Sequence, residues 1–198
     1  MLFDGNLDVD LIVFTPEQMK NIIEEGIANW VMNRGYIVLY DNMGLSEMLQ
    51  KYVTVEDSVV HSVMTEQEYL NVVNDFCYHT VWAYKKLLRG ELWAAKMCID
   101  SYMKNKLLKI IEMYALSCNK DIDVWHNGRF LDKWAGDAVT NKLRNCFGKY
   151  DKHDLSMALI NTQKLFVELV EKTCANFNYA FPSKAICYAE ECLAQMMG

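Results

Sequence analysis

Apolar and small residues recur at helical spacing through the middle of the chain. One row runs Tyr69, Val72, Val73, Phe76, Thr80, Ala83 and Leu87. After Arg89-Gly90 a second row runs Leu92, Ala95, Ile99, Met103, Leu107, Ile110 and Tyr114. Steps of three and four put each row on one helix face, and a glycine suits the break between two helices. The pattern predicts two antiparallel helices, 69–88 and 91–114, forming an αα-hairpin at the centre of a bundle. Phe76, Ile99 and Ile110 should be buried there. Thr65 followed by Glu68 has the spacing of a capping box and starts the first helix.

Elsewhere the pattern changes period. LDVDLIVF at 7–14 opens with alternation and is rich in β-branched residues, which predicts a strand. Thr15-Pro16-Glu17-Gln18 then caps a helix reaching about residue 32. YIVLY at 36–40 reads as a second strand, and 45–52 as a short helix. Two strands do not make a stable sheet by themselves, so this portion reads as the last pieces of a mixed sheet. A polar linker is expected at 54–64 and a polar loop at 116–127. Short helices are expected near 130–134 and 138–147. A long helix capped by Asp151 or Asp154 should run to about 177, and a last one over 184–196. The expected fold is α+β, mostly α. Residues 1–53 form the end of a sheet domain and residues 65–198 a helical bundle.

The polar positions of the hairpin are the first candidates for chemistry. Tyr78, Trp82, Glu91, Trp93, Lys96, Asp100 and Lys104 lie off the apolar rows. Lys96, Asp100 and Lys104 are four apart and so share a face. A solvated ladder of charges and a pocket wall for a polar ligand fit this pattern equally well. Asp8 and Asp10 would point to one face of the first strand. They fit either an exposed pair on a sheet edge or a pair of carboxylates for Mg²⁺.

Composition narrows the field. At 198 residues and 52% hydrophobic content, one domain plus an appendage can bury a sizeable core. A net charge of −6 disfavours nucleic acid as a partner. Seven cysteines without a Cys-x-x-Cys read as free thiols in a reducing cytoplasm, Cys77 among them as a core residue. The four histidines have no ligand spacing for zinc. Neither a signal peptide nor a membrane span is expected, which predicts a soluble cytoplasmic protein with no membrane partner.

Longer strings carry a resemblance. VVNDFCYHTVWAYKKLLRGELWAAKMCIDSYMK within 71–109, RGYIVLYDNMGL at 34–45, WHNGRFLDKWA at 125–135 and FNYAFP at 177–182 closely resemble the aminoglycoside 6-adenylyltransferase (streptomycin adenylyltransferase) family. The resemblance covers nearly the whole chain. It implies a nucleotidyltransferase fold followed by a helical domain, with ATP as co-substrate, Mg²⁺ as cofactor and a cationic aminoglycoside as acceptor. It implies resistance to the antibiotic as the outcome.

The resemblance makes Asp10 the third carboxylate of the fold. That group would activate the acceptor hydroxyl or help place the metal, while Asp8 has no clear family equivalent. The Gly-Ser loop and the first Asp-x-Asp pair are expected upstream of Met1, so the chain alone is expected to be inactive. On the helical side, Glu91 and Asp100 are the expected partners of guanidinium groups. Trp82 and Trp93 are expected as flat walls, and Lys96 and Lys104 as contacts to the nucleotide phosphates. Trp125, His126 and Arg129 lie in a loop-like, family-matching string. The alternative is a non-catalytic helical module that binds a drug or a partner. Monomer and homodimer both remain open.

Overall fold

The structure is a computed structural model that describes residues 2–3, 7–55 and 63–195; for residues 2, 3, 7 and 8 it describes the backbone alone. It is mostly helical and divides into two compact units, Met1–Val60 and His61–Gly198. Most of the expected linker, residues 56–62, lies outside the described residues.

In the first unit, β1 (Leu2–Phe3) pairs antiparallel with β2 (Leu7–Asp8). The strand expected over 7–14 therefore ends after two residues, and residues 9–15 have no regular structure. Residues 36–40, the second expected strand, have none either, and the expected remnant of a mixed sheet is not present among the described residues. The reason is hydrogen bonding. A strand completes its backbone pairs only on a neighbour, and β1 is the sole described neighbour of β2.

Side-chain caps start two of the helices of this unit. At α1 (Pro16–Glu24), Gln18 N–H donates to Thr15 Oγ1 at 3.3 Å and Thr15 N–H to Gln18 Oε1 at 2.9 Å. The single helix expected to reach residue 32 is split. Gly26 takes φ +66°, a conformation only glycine adopts freely, and α2 (Asn29–Met32) starts afresh beyond it. Asp41 anchors α3 (Leu45–Tyr52) by accepting from the N–H groups of Met43, Leu45 and Ser46 at 2.8–3.1 Å. The Ser46 and Met43 N–H groups hold its carboxyl well below the usual carboxylate range. Ile23, Leu49 and Val53 make the small core.

The second unit is a bundle. Its α4 (Glu66–Leu88) opens with the expected capping box, Thr65 N–H donating to Glu68 Oε2 at 2.8 Å, and ends at Gly90 with φ +74°. The second hairpin helix is not continuous: α5 (Leu92–Met97) runs into a π-turn (Cys98–Tyr102) and then α6 (Met103–Cys118). There follow α7 (Leu131–Trp134), α8 (Asp137–Leu143) with a 3₁₀ turn (Arg144–Cys146), α9 (Lys152–Phe177) capped by Asp151, and α10 (Ser183–Ala194). The α6 helix lies along α9, and α10 along α4.

Phe76, Ile99 and Ile110 are fully buried, as the apolar rows require. The Phe76 and Phe166 rings stack with centroids 3.5 Å apart. One polar pair joins them in the core, Thr80 Oγ1 and Gln163 Oε1 at 2.8 Å. All seven cysteines are free, and burial pushes the Cys77 thiol up to about 12, which fits a core residue rather than a nucleophile. Among the described residues, no helix is long and apolar enough to cross a membrane.

Candidate functional site

The π-turn gathers four of the residues expected to carry chemistry. A π-turn widens the helix by one residue. Here the Met103 N–H reaches the Cys98 carbonyl five residues back, and such turns are frequent at functional sites. Lys96 on α5 donates from Nζ to Asp100 Oδ2 and to the Gly148 carbonyl, each at 2.6 Å. Gly148 lies in the turn between the 3₁₀ segment and α9, and a Cβ added there would stand 2.8 Å from the Asp154 carbonyl oxygen. That approach is closed to any larger residue. Trp93 is 69% exposed and meets Tyr150 of the same turn edge-on at 6.5 Å.

Lys104 lies deeper. Its Nζ donates to the Ile99 carbonyl at 3.0 Å and to Thr162 Oγ1 on α9 at 2.9 Å, beneath the Phe147 ring at 4.9 Å. Burial pulls its pKa down to about 8, with Cys146 and Asp100 opposing the fall. The two lysines therefore tie the turn 144–150 and α9 to the π-turn. Asp100 keeps something in reserve. Its Oδ2 is held by Lys96, while Oδ1 is buried without a hydrogen-bond partner among the described residues, on a side chain 20% exposed. A buried carboxylate oxygen without a donor is costly and marks a place where a cationic or N–H donor ligand would be welcome.

Glu91 and Trp82 fall elsewhere. Glu91 precedes α5 and is already paired with Lys86 and, at 2.5 Å, with Arg89; both hydrogen bonds hold its carboxyl below the ordinary carboxylate range. Lys86 also covers the half-buried Trp82 ring, with Nζ 4.9 Å from the centroid. The pair is thus joined through one ammonium at the α4–α5 turn. Asp10 is an exposed residue in the irregular stretch after β2, and the side chain of Asp8 lies outside the described residues.

The opposite flank of the π-turn carries residues the sequence reading did not single out. Asp75 on α4 accepts from Tyr102 Oη at 2.8 Å, faces Lys106 Nζ at 2.6 Å and His79 Nδ1 at 3.1 Å. Burial raises its carboxyl, but Lys106 and Tyr102 outweigh that and the net shift is downward. The His79 and Tyr102 rings lie 4.1 Å apart. The signal was the i,i+4 pair Asp75/His79 in an apolar helix. Its partners lie across the hairpin, where spacing along one helix cannot reach. Glu112 on α6 is a second such residue. It is half-buried between Ile111 and Met113 in the sequence, and burial pushes its carboxyl up to about 7.

Among the described residues, no group of three or more His, Cys, Asp or Glu side chains stands close enough to hold a metal ion. Asp10 offers one exposed carboxylate from irregular backbone. A magnesium ion wants near-octahedral oxygen ligation, and among the described side chains of this stretch Asp10 would supply one such ligand.

The chain matches the streptomycin adenylyltransferase family over residues 1–194 and belongs to it. Its fold is similar to that of an aminoglycoside 6-adenyltransferase from Bacillus subtilis, with a TM-score of 0.61 at 15% identity. The match covers 75% of this chain and 62% of the Bacillus chain, so this chain spans about three fifths of the length of that protein. No curated protein matches the chain.

Proposed function

We propose that the chain serves an aminoglycoside 6-adenylyltransferase, which moves AMP from ATP to a streptomycin hydroxyl and so confers resistance. The observation that carries this reading is the family match across residues 1–194. The π-turn supports the substrate class. Streptomycin bears guanidinium groups, and the partnerless Oδ1 of Asp100 is an acceptor of the kind such a group pairs with. In this reading Asp100 binds the drug, and the exposed Trp93, which meets Tyr150 of the adjoining turn, offers a flat surface. Glu91, its charge shared by Lys86 and Arg89, contributes less. Lys96 and Lys104 act as positioning residues, because their ammonium groups are spent on Asp100, Gly148, Ile99 and Thr162.

Asp10 is proposed as the group that takes the proton of the attacking hydroxyl, a role asking for a carboxylate within hydrogen-bond reach of the acceptor. ATP and the drug are the proposed small-molecule partners. The test is mass spectrometry of streptomycin incubated with ATP, magnesium and protein containing this chain. An adenylyl adduct is expected, and Asp10→Asn should cut turnover at least a hundredfold, within the usual range for a lost general base, with little change in ATP affinity. Equal turnover in Asp10→Asn would remove Asp10 from the mechanism. A modified product lacking the adenylyl group would remove the proposed activity.

A further inference from the structure

A cavity of about 390 Å³ opens between the second half of α6 and the loop that follows it. Leu116 and Val124 are apolar parts of its lining, and Glu112, Trp125, His126 and Lys109 are its polar and aromatic parts. The loop is built with care. His126, Asn127 and Phe130 all have positive φ, 120°, 52° and 57°, which costs free energy in non-glycine residues. Gly128 at φ +74° brings the backbone so near α6 that a Cβ would stand 3.3 Å from Leu108 Cδ1. The strained backbone is held by Trp134 Nε1 donating to the Arg129 carbonyl at 2.8 Å and Trp125 N–H donating to Asp123 Oδ1 at 3.0 Å. Strain of this kind persists where the surroundings over-determine it, and it concentrates at ligand sites.

Within this cavity Glu112 is half-buried, and among the described residues no hydrogen bond reaches its carboxylate. Lys109 on the same helix and His126 on the loop are the other titratable groups lining the space. We propose that the cavity binds an organic cation, a guanidinium or protonated amine, with Glu112 as its carboxylate and Trp125 as its flat wall. A cation against an indole face in a partly desolvated space is favourable, and a desolvated carboxylate gains most from a charged partner. The proposal rests on the reading that the ligand is a cationic aminoglycoside. It gives such a ligand an acidic contact apart from Asp100, Glu112 on α6, facing the family-matching loop.

Binding then carries a proton signature. Burial holds the Glu112 carboxyl near 7, so the group is part-protonated in the free protein. A bound cation favours the ionised form, so the proton leaves on binding and affinity rises with pH through 7. The test is calorimetric titration of streptomycin into the chain at pH 6 and pH 8, in two buffers of different ionisation enthalpy. The wild type should bind up to about tenfold tighter at pH 8 and release a fraction of a proton near pH 7. Glu112→Gln should lose both the pH gain and the proton release, whereas His126→Gln keeps them. Trp125→Leu should weaken binding while keeping the proton release, and a thermal melt of each variant checks that it is folded.

Wild type that does not bind, or Glu112→Gln that binds with the same pH gain, overturns the proposal. An adenylyl adduct formed with Glu112-independent affinity overturns the proposal and leaves the proposed activity standing. Glu112-dependent binding by a protein that forms no adduct does the reverse.

Discussion

Residues 36–40 and residues 107–113 are both strongly apolar, and they meet opposite fates. Ile37, Leu39 and Tyr40 are more than four-fifths exposed, Leu39 reaching 93%, whereas Leu107, Ile110, Ile111 and Met113 are buried. The difference lies in where each segment finds its backbone hydrogen bonds. A helix satisfies its N–H and C=O groups within itself, so α6 needs from the rest of the bundle only a surface to pack on, which α9 supplies. A strand satisfies nothing alone. Apolar content therefore decides burial only after the backbone is provided for.

The largest expected effect tests the packed side of this contrast. Phe76→Ala removes one ring of the stack with Phe166 and should cost about 3–5 kcal/mol, read by chemical denaturation. A loss below about 1 kcal/mol would mean that the bundle core is not the cooperative unit.

Next comes Glu112, the acidic exception on the packed helix. Its carboxyl is raised from an ordinary value of 4.5 to about 7 by burial, so the folded chain favours the protonated form. Its stabilising contribution is complete below about 4.5 and is lost as pH rises through 7. Glu112→Gln mimics the protonated state. It should match the wild type at pH 4 and exceed it at pH 8 by about 1–3 kcal/mol. Equal stability at both pH values would place Glu112 in water.

The bundle and its caps were largely legible in the sequence. The box at Thr65 and Glu68 and the break at Gly90 act locally, and local spacing shows them. The apolar rows gave Phe76, Ile99 and Ile110 for the same reason. What escaped depends on distant partners. The π-turn at 98–102 sits in a row that remains periodic in three and four, and it shows only in how Lys104 turns to Thr162 on α9. Asp75 pairs with Lys106 and Tyr102 across the hairpin, and Glu112 takes its character from a loop beyond α6. The strand reading of 7–14 and 36–40 came from β-branched composition, which cannot say whether a partner strand is there.

Smaller effects sharpen the comparison further. Thr65→Ala removes the acceptor for the Glu68 N–H and should cost about 1 kcal/mol, seen as a lower denaturation midpoint with unchanged slope. Leu39→Ser, at an exposed position, should fall within about 0.5 kcal/mol of the wild type. A Leu39→Ser cost approaching that of Phe76→Ala would erase the distinction between the two regions.

The measurement that bears most directly on the function is calorimetric titration of streptomycin into the chain, with Asp100→Asn and Glu91→Gln beside the wild type. Asp100→Asn keeps the shape of the π-turn and removes the charge whose Oδ1 stands without a partner. The wild type should bind, Asp100→Asn should weaken binding by about tenfold or more, in line with a lost charged hydrogen bond, and Glu91→Gln should weaken it less. Wild type that fails to bind, or Asp100→Asn that binds as tightly as wild type, would contradict the proposed role of Asp100.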